Sequence, residues 1–576
     1  MAGGPATRSA GPIGVRGEWA TLRLSELVEG LEIQAVLGDG ATLVAAVTYD
    51  SRQVRPGSVF FCVRGFVQDG HTFIPDSIRR GAAAIVVEGP AGLEAARTAL
   101  TARAAAPGVA PGGPAAAPAR PPVIVAVPSV RQAMGRAAAN FFEHPSRKLR
   151  VIGVTGTNGK TTTVHLVREL LVGPRSCGLI GTVQTVVGGE TYPAGRTTPE
   201  AFDLQSLAAR MAGAGDTHLA MEVGSHALAL DRVGGFEYDV AVFTNLTQDH
   251  LDFHGTMEEY FLAKARLFEA LGRSYLGIPK PGPKAAVLNA DDPYARRLAA
   301  VARVPLVTYA LEAGDAGLRA TDINPGPDRT TFTLTARDGL GAGLPAPAAF
   351  RVPVTLSLTG RHNVANALAA LAVALVEGVP AEAAVAGLDG VKGAAGRFES
   401  VNAGQDFLAV VDYAHTPDGL ENVLQAARAL HPRRVITVFG CGGDRDRAKR
   451  SLMGEVVAKL SDLCVVTSDN PRSERPEAII EEIRPGLERL GRREGSGYLV
   501  DPDRTGAINL AVGAAGPGDL VLVAGKGHET YQTFADKTVP FDDREVLREA
   551  ILRKIGAGAD AAGPAAPAPP DRRRRP

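Results

Sequence analysis

Residues 151–163 read VIGVTGTNGKTTT, and this stretch decides the fold of the central part of the chain. A β-branched run typical of a buried strand leads through a glycine-rich turn to Lys160 and Thr161, where a helical pattern begins. Small residues let backbone N–H groups close around phosphate oxygens, Lys160 reaches the terminal phosphates and Thr161 offers a hydroxyl to Mg²⁺. The stretch therefore predicts a site for an ATP-type nucleotide, although Val154 stands where the strict phosphate-loop pattern has glycine. A plain glycine turn is the alternative.

The same order of strand and helix recurs along the chain. A helical pattern follows the phosphate loop, with Val164, Val167, Leu170 and Leu171 on one face. Further β-branched runs lie at 218–223, 239–244, 284–288, 434–439, 462–467 and 519–524. This alternation predicts an α/β fold of parallel sheets flanked by helices, with ligands bound at the carboxyl ends of the strands.

Composition divides the chain into three folded parts. Its 576 residues, 45% hydrophobic and 22% charged, are enough for several hydrophobic cores. We expect residues 1–19 and 557–576 to be disordered tails and the Ala- and Pro-rich residues 101–122 to be an inserted loop. The folded parts are then predicted at 20–146, 147–395 and 396–556.

Charge and cysteine content exclude several classes of protein. The 62 basic residues balance 62 acidic ones, so no global field attracts nucleic acid or an anionic membrane. The four cysteines form no CxxC pair, which favours a reducing cytoplasm over a disulfide framework or a zinc ribbon. The longest apolar run, 367–376, is half of the roughly 20 residues that a membrane-spanning helix needs. The N-terminal segment lacks the pattern of a secretory signal.

Three residues outside the phosphate loop are candidates for the same site. Glu222 ends one strand pattern and His250 follows the next, so both would project toward the loop across one sheet. A carboxylate suits Mg²⁺, whereas His250 alone would more often be a hydrogen-bonded loop residue. Lys264 lies in a helical pattern, and periodicity alone predicts a solvated lysine beside an inward stripe of Phe261, Ala265, Phe268 and Leu271.

Ten ordered motifs between about residues 20 and 555 resemble the Mur ligase family. They are GTNGKTTT (156–163), RTTPE (196–200), MEVGSH (221–226), TNLTQDHLDFHG (244–255), GRHNVANALAA (360–370), GRFE (396–399), DYAHTP (412–417), GCGGDRDRAKR (440–450), SDNPRSE (468–474) and AGKGHE (524–529). The resemblance implies three α/β domains: one for a uridine nucleotide, a central ATP-binding one and a Rossmann-like one for an amino acid. It also implies a cytoplasmic ATP- and Mg²⁺-dependent ligase that adds diaminopimelate, by default the meso isomer, to UDP-MurNAc-L-Ala-D-Glu in peptidoglycan precursor synthesis. Independently of the resemblance, we expect a monomer.

The resemblance assigns catalytic and nucleotide-binding roles. It implies that Lys264 is carbamylated and holds a second Mg²⁺ beside His250 and Glu222, with Thr161 as a further metal ligand and Lys160 as a catalytic residue. The implied nucleotide contacts are Gly156, Thr157, Asn158, Gly159, Lys160, Thr161, Thr162, Asn363, Asn366, Arg397, Asp412 and His415. From the residues alone, Asn363 and Asn366 could equally be helix caps, and Lys449 and Arg450 could be solvated charge.

The resemblance also assigns the substrate contacts. Ser51, in the segment 49–65, would contact the UDP part, and Gly224 stands where the family has a serine that touches substrate. The implied contacts to the muramoyl-dipeptide are Thr197, Thr198, Ser225 and Arg232.

The segment SDNPR resembles members that add diaminopimelate rather than lysine. Arg445 and Arg472 can each hold a carboxylate through two parallel hydrogen bonds, and Asn470 can hydrogen-bond the same end of diaminopimelate. Lysine has no carboxylate at its distal end. By similarity, Gly525 and Glu529 receive the distal ammonium and carboxylate. Asp469 and Pro471 complete the segment, which on its own would equally fit a turn at Asn-Pro.

Two alternative functions stay open at this point. A ligase of the folylpolyglutamate synthase type shares the phosphate loop and HNVAN, but it does not need the Asp-Ser-Arg segment of the N-terminal part or SDNPR. A phosphate-loop ATPase without ligase activity would hydrolyse nucleotide whether or not an amine is present.

Overall fold

The computed structural model describes most of the chain, and its gaps fall at the ends and in a few loops. The described residues are 21–65, 68–105, 120–171, 176–326, 329–339, 344, 348–391 and 393–561. The predicted tail 1–19, most of the predicted insert and residues 562–576 lie outside them. Residues 101–105 continue a helix, and the last helix reaches Ala561, so both low-complexity segments begin later than their composition suggested.

The N-terminal part is built on a five-stranded sheet with strand order β2-β7-β6-β5-β4. Strands β4 to β7 run parallel, and β2 pairs with β7 in the antiparallel sense. The strands are β1 (Leu22–Arg23), β2 (Ala35–Leu37), β3 (Leu43–Val44), β4 (Ala46–Thr48), β5 (Ser58–Phe61), β6 (Ala84–Glu88) and β7 (Val123–Val127). The helices are α1 (Leu24–Leu27), α2 (Ile74–Arg79), α3 (Gly89–Ala105) and α4 (Val130–Phe141), with 3-10 turns at Ser51–Gln53, Gly70–Phe73 and Pro145–Arg147.

The central part contains an eleven-stranded sheet, with order β11-β10-β9-β12-β8-β13-β14-β15-β16-β17-β18. Its strands are β8 (Arg150–Thr155), β9 (Cys177–Ile180), β10 (Gln184–Val187), β11 (Glu190–Pro193), β12 (His218–Glu222), β13 (Val240–Phe243), β14 (Ala285–Asn289), β15 (Leu306–Ala310), β16 (Leu318–Pro325), β17 (Thr330–Ala336) and β18 (Phe350–Leu356). Its helices are α5 (Lys160–Leu171), α6 (Ala201–Gly213), α7 (Ser225–Ala229), α8 (Leu251–His254), α9 (Met257–Ala270), α10 (Tyr294–Val301), α11 (Arg361–Val376) and α12 (Ala381–Ala386).

The middle of this sheet is parallel, as the sequence predicts, but its two ends are not. Strands β10 and β11 extend one end and β17 and β18 the other, all by antiparallel pairing. The sequence analysis predicted the parallel strands and did not identify these antiparallel ones. In β17, threonines alternate with apolar residues, a period of two that is typical of an antiparallel strand with one buried face.

The C-terminal part has a six-stranded sheet of order β19-β20-β24-β21-β22-β23, parallel except for β19. The strands are β19 (Glu399–Ser400), β20 (Leu408–Asp412), β21 (Val435–Phe439), β22 (Leu463–Val466), β23 (Tyr498–Val500) and β24 (Leu520–Ala524), with a hairpin of β25 (Tyr531–Thr533) and β26 (Thr538–Pro540). The helices are α13 (Pro417–Ala429), α14 (Ala448–Leu460), α15 (Pro476–Arg489), α16 (Arg504–Ala514) and α17 (Asp543–Ala561).

The core of the central part explains how the phosphate loop is held. Helix α5 buries the predicted stripe of Val164, Val167, Leu170 and Leu171 in one cluster with helix α11 and the strands below. Strand β8 is paired on both sides by parallel neighbours, so its carboxyl end has a fixed position. Within the described ranges, no helix is long and apolar enough to cross a membrane.

A buried ion cluster ties the amino end of β8 to the helical layer. Arg150 donates to both carboxylate oxygens of Glu377, at 2.7 and 3.0 Å, and His218 lies 3.5 Å from the same carboxylate. Burial alone would raise the pKa of Glu377, but the hydrogen bonds from His218 and Arg150 lower it to about 2. Because the folded pKa is below the unfolded one, this pairing stabilises the fold above about pH 4.5 and stops doing so as the pH falls toward 2.

We expect Glu377→Gln to lower the free energy of unfolding by about 3 kcal/mol at pH 7, because the buried Glu377 charge that His218 and Arg150 stabilise is lost, while Asp239 remains 2.7 Å from Arg150. The difference from the parent should shrink steadily between pH 5 and pH 2. Urea unfolding followed by circular dichroism measures both. Glu258→Gln is the matched control, since the Glu258–Arg297 pair is exposed and its loss should leave the midpoint unchanged. An equal loss of unfolding free energy in Glu377→Gln at pH 7 and at pH 2 would contradict the lowered pKa of Glu377.

Candidate active site

A cavity of about 1030 Å³ lies at the carboxyl ends of β8, β12 and β13, where the central part faces the C-terminal part. Many of the residues singled out in the sequence line it: Gly156, Thr157, Asn158, Gly159, Lys160, Thr161, Thr162, Thr197, Thr198, Glu222, Ser225, Arg232, His250, Lys264, Asn363, Asn366, Arg397, Asp412 and His415. The rest lie outside it: Ser51, Arg445, Asp469, Asn470, Pro471, Arg472, Gly525 and Glu529. The structure thus brings the phosphate loop and the junction residues together in one space.

The phosphate loop packs so closely on its surroundings that two of its glycines leave no room for a side chain. A Cβ on Gly156, at a φ of 148°, would lie 1.9 Å from the Oγ1 of Thr244. A Cβ on Gly159, at a φ of 83°, would lie 2.4 Å from the Oδ1 of Asn366. Glycine is therefore required at both positions for this loop to sit against β13 and helix α11.

Two lysine side chains meet at the same backbone carbonyl. The oxygen of Gly156 accepts a hydrogen bond from Lys160 Nζ at 3.0 Å and from Lys264 Nζ at 2.7 Å. Burial lowers the pKa of Lys264 well below its usual value, and the charge of Lys160 lowers it further. The pKa of Lys160 is also lowered, chiefly by burial. Lys264 is therefore the better candidate for a neutral amine.

The interpretation of Lys264 as a solvated helical residue was wrong, because its side chain is only 2% exposed. The inward stripe of Phe261, Ala265, Phe268 and Leu271 is buried as predicted. Lys264 follows Phe261 by three positions and precedes Phe268 by four, so it shares their face of helix α9. That spacing was the signal for its burial.

Glu222, at the end of β12, and His250, in the loop after β13, face the cavity from either side of β8. The Glu222 carboxylate is buried and accepts hydrogen bonds from the N–H of Thr182 at 2.7 Å and from its hydroxyl at 3.1 Å. Burial lowers the pKa of His250 against the opposing charge of Asp249, so its imidazole is neutral. Within the described part of the chain, no three His, Cys, Asp or Glu side chains form a metal-binding group.

Three polar contacts join the central and C-terminal parts across the cavity. Arg397 donates to the hydroxyl of Thr161 at 3.1 Å. The Asn158 side chain donates to Asp418 at 2.5 Å, at the start of α13. Lys449 Nζ lies 3.9 Å from Asp249 Oδ1. The phosphate loop and the loop before α8 are therefore in direct contact with the C-terminal part.

Two alternatives left open by the sequence are now decided by position. Asn363 and Asn366 are buried inside helix α11, which is capped by Gly360, so neither is a helix cap. Lys449 and Arg450 are also buried, at 5% and 0% exposure, so they are not solvated charge.

The predicted muramoyl-dipeptide residues form a continuous wall of the cavity. Thr198 donates to the carbonyl of Glu222 at 2.8 Å and accepts from the N–H of Gly224 at 3.1 Å. A Cβ on Gly224 would meet only the Thr198 hydroxyl, at 3.8 Å, so the serine usual at this position would fit. Arg232 is held by Glu200 at 2.9 Å. Thr197 contacts the Thr182 hydroxyl at 3.0 Å, and Ser225 contacts His254 at 2.9 Å.

The residues predicted to bind the added amino acid form a second polar cluster, in the loops that follow β21, β22 and β24. Asn470 donates to Glu529 at 2.8 Å, and Arg472, in the left-handed region at a φ of 52°, donates to the carbonyl of Gly443 at 2.7 Å. A Cβ on Gly525 would lie 2.5 Å from Asp469, so this loop also requires glycine. Arg445 donates to the neighbouring carbonyl of Asp444, at 3.0 Å.

Several residues of these clusters were missed in the sequence. Asp249 and Lys526 lie inside quoted motifs, which was a usable signal, and Asp418 directly follows DYAHTP. Arg504 lies in no motif, yet it is fully buried, pairs with Asp543 at 2.7 Å and donates to the carbonyls of Ser468 and Ala524. Arg504 thereby ties together the loops after β22 and β24, which carry residues predicted to bind the amino acid. Ser51 lies apart, buried at the start of a 3-10 turn in the N-terminal part.

Comparison with known proteins agrees with the motif order. The model of the Mur ligase middle domain matches residues 154–374, that of the Mur ligase glutamate ligase domain matches 396–527, and that of the Mur ligase family catalytic domain matches 43–142. A relative from Syntrophomonas wolfei, named UDP-N-acetylmuramoyl-L-alanyl-D-glutamate--2,6-diaminopimelate ligase, is 40% identical over 93% of this chain and 100% of its own length. The chain belongs to the Mur ligase family. A relative of the same name from Streptomyces coelicolor is 45% identical over 92% of this chain and 97% of its own length.

Solved structures of Mur ligases share the three-domain α/β fold, which confirms the predicted fold class. A structure of a ligase with the same name as these relatives is 30% identical, with a TM-score of 0.59 over 93% of this chain and 100% of its own. The MurF ligase of Thermotoga maritima in complex with ADP has a TM-score of 0.55 at 19% identity, over 90% of this chain and 99% of its own. At that identity the likeness concerns the fold alone.

Proposed function

We propose that this chain is an ATP-dependent amide ligase that adds meso-2,6-diaminopimelate to UDP-MurNAc-L-Ala-D-Glu in peptidoglycan precursor synthesis. The relatives at 40% and 45% identity are named for this pair of substrates. The observation that carries the proposal is the single cavity in which a phosphate loop, a wall of hydroxyls and Arg232, and residues of the C-terminal part face one another. We also propose a cytoplasmic monomer as the active unit.

The proposed reaction has two steps: residues of the cavity would serve the first, and the polar cluster of the C-terminal part, which lies outside the cavity, would hold the amine for the second. First, an oxygen of the D-glutamyl γ-carboxylate attacks the γ-phosphorus of ATP, the bond to ADP breaks and an acyl phosphate forms. Then the diaminopimelate amine attacks the acyl carbon, inorganic phosphate leaves, and the amine loses a proton as the amide forms. Such phosphoryl transfer depends chiefly on positioning and charge neutralisation.

The chain's own residues supply that positioning. Lys160 donates to the carbonyls of Gly156 and Thr157, and exchange of these contacts for phosphate oxygens would bring its charge to the transferred group. Arg397 donates to Thr161, and its guanidinium carbon lies 4.8 Å from the centre of the Tyr413 ring. It can therefore approach the nucleotide from the C-terminal part, opposite Lys160. Because these groups come from two parts of the chain, we propose that the parts close on the substrates.

The residues present fit the magnesium ions that the family implies. Glu222 offers a buried carboxylate, His250 a neutral imidazole and Thr161 a hydroxyl, all facing one cavity. Magnesium, when bound, neutralises charge on the phosphates during transfer. Lys264 fits this set only after modification, because an ammonium group offers no lone pair to a cation.

We propose that Lys264 is that modified residue. Its lowered pKa raises the fraction of neutral amine, and in that form Nζ can attack the carbon of CO₂, form an N–C bond and lose a proton to give a carbamate. The product is an anionic group beside Glu222 and His250, in place of a second cation beside Lys160.

We expect ¹³C-labelled bicarbonate to give a carbamate signal from Lys264 in the NMR spectrum of the protein at pH 7, because an ordinary lysine is protonated there and reacts little. Lys264→Met should remove this signal and most of the ligase activity. The exposed lysine variant Lys459→Met is the control and should keep both. A spectrum of Lys264→Met with every carbamate signal of the parent would contradict the proposal.

Amine selection provides the most direct test of the proposed substrate pair. Phosphate release from ATP should require both UDP-MurNAc-L-Ala-D-Glu and diaminopimelate, and mass spectrometry should show a tripeptide product with the meso isomer and none with L-lysine. Arg472→Met should raise the KM for diaminopimelate at least tenfold, because a carboxylate contact worth about 1.5 kcal/mol or more is lost.

Other outcomes of this assay separate the alternatives. Phosphate release without any amine would indicate an ATPase, and a product only with glutamate would indicate a ligase of the folylpolyglutamate type. A product with lysine alone would overturn the roles proposed for Arg445, Asn470 and Arg472.

A further inference from the structure

Lys526 is a buried charge whose partners both belong to the proposed amino-acid site. Its side chain is 0% exposed, and Nζ donates to Glu529 Oε2 at 3.0 Å and to Asn470 Oδ1 at 3.1 Å. The ring of Tyr531 lies 5.5 Å from the same nitrogen. A buried ammonium is costly unless it is paired and hydrogen-bonded, so this lysine requires these two partners in place.

The contacts of Lys526 fix which atoms of its partners remain for a ligand. Asn470 Oδ1 also accepts from the N–H of Thr533 at 3.0 Å, so its carbonyl end is taken and its NH₂ end is turned toward Glu529 Oε2 at 2.8 Å. Glu529 Oε2 therefore accepts from both Lys526 and Asn470. Among the described residues, Oε1 of Glu529 accepts no hydrogen bond, which leaves this oxygen for an incoming ammonium group.

Lys526 also sets the charge of this cluster. Glu529 alone would favour any substrate with a cationic distal end, and L-lysine has one. With Lys526 paired to it, the negative charge of Glu529 is balanced, so a substrate whose distal end is an ammonium group alone gains less binding energy from this carboxylate. A distal end that carries both an ammonium and a carboxylate still gains from Glu529 Oε1 and from the neighbouring Arg472.

We propose that Lys526 is a positioning residue for amino-acid specificity: it orients Asn470 and Glu529 and balances the Glu529 charge, so that a zwitterionic distal end is preferred to a cationic one. This rests on the proposed function. Lys526 acts through its two partners and makes no contact with the reacting atoms.

The test compares Lys526→Met, Glu529→Gln and the double variant, with the exposed Lys459→Met as the matched control. For Lys526→Met, we expect the KM for diaminopimelate to rise at least tenfold, with the KM values for ATP and the UDP substrate within twofold of the parent. The ratio of kcat/KM for diaminopimelate to that for L-lysine should fall at least tenfold, because Glu529 is left unbalanced. The double variant should lose no more discrimination than Glu529→Gln alone.

Several results would overturn the proposal. These are an unchanged preference between the two amines, additive effects in the double variant, or KM values for all three substrates rising together in a folded protein. If Lys526→Met does not fold, the double variant decides, because it contains no unpaired buried charge. A parent enzyme without diaminopimelate-dependent activity would instead reject the proposed function.

Discussion

The carbonyl oxygen of Gly156 is the point on which the site depends, because it accepts hydrogen bonds from both Lys160 and Lys264. Two ammonium groups on one buried oxygen repel each other, and the more deeply buried Lys264 yields its proton more readily. The same carbonyl is held in place because Gly156 packs directly against Thr244. A Cβ at this position would lie 1.9 Å from the Thr244 hydroxyl, so no other residue fits. The close packing of the phosphate loop therefore also fixes the carbonyl at which the two lysine side chains meet.

The sheets extend that constraint to the rest of the molecule. Parallel strands β8, β12 and β13 end side by side, so the phosphate loop, Glu222 and the loop with His250 share one edge. The C-terminal part completes the cavity through Arg397 and Asp418, while its own amino-acid cluster is set by two buried cations, Arg504 and Lys526. Buried charged groups therefore lie at the places where we propose that the anionic and zwitterionic substrates bind.

Sequence reasoning predicted the strands, the phosphate loop and the family, because these depend on local patterns and ordered motifs. It did not predict the antiparallel ends of the central sheet, although β10 and β11 form a tight hairpin in which Val187 pairs with Glu190. Periodicity alone placed Lys264 in solvent, since statistics for lysine outweighed a spacing that puts it on the buried face, and only the family resemblance assigned it to the site. Arg504 could not have been found, because its role depends on two carbonyls and an aspartate brought together only by folding.

The central claim is that one cavity activates a substrate carboxylate by phosphoryl transfer and then passes the acyl group to an amine. It is tested most directly with UDP-MurNAc-L-Ala-D-Glu labelled with ¹⁸O in the γ-carboxylate. Turnover with ATP and diaminopimelate should place one ¹⁸O in each inorganic phosphate released, as mass spectrometry of the phosphate would show, because the carboxylate oxygen leaves with phosphorus. Inorganic phosphate without the label, formed together with the amide product, would contradict the acyl phosphate and with it this account of the site.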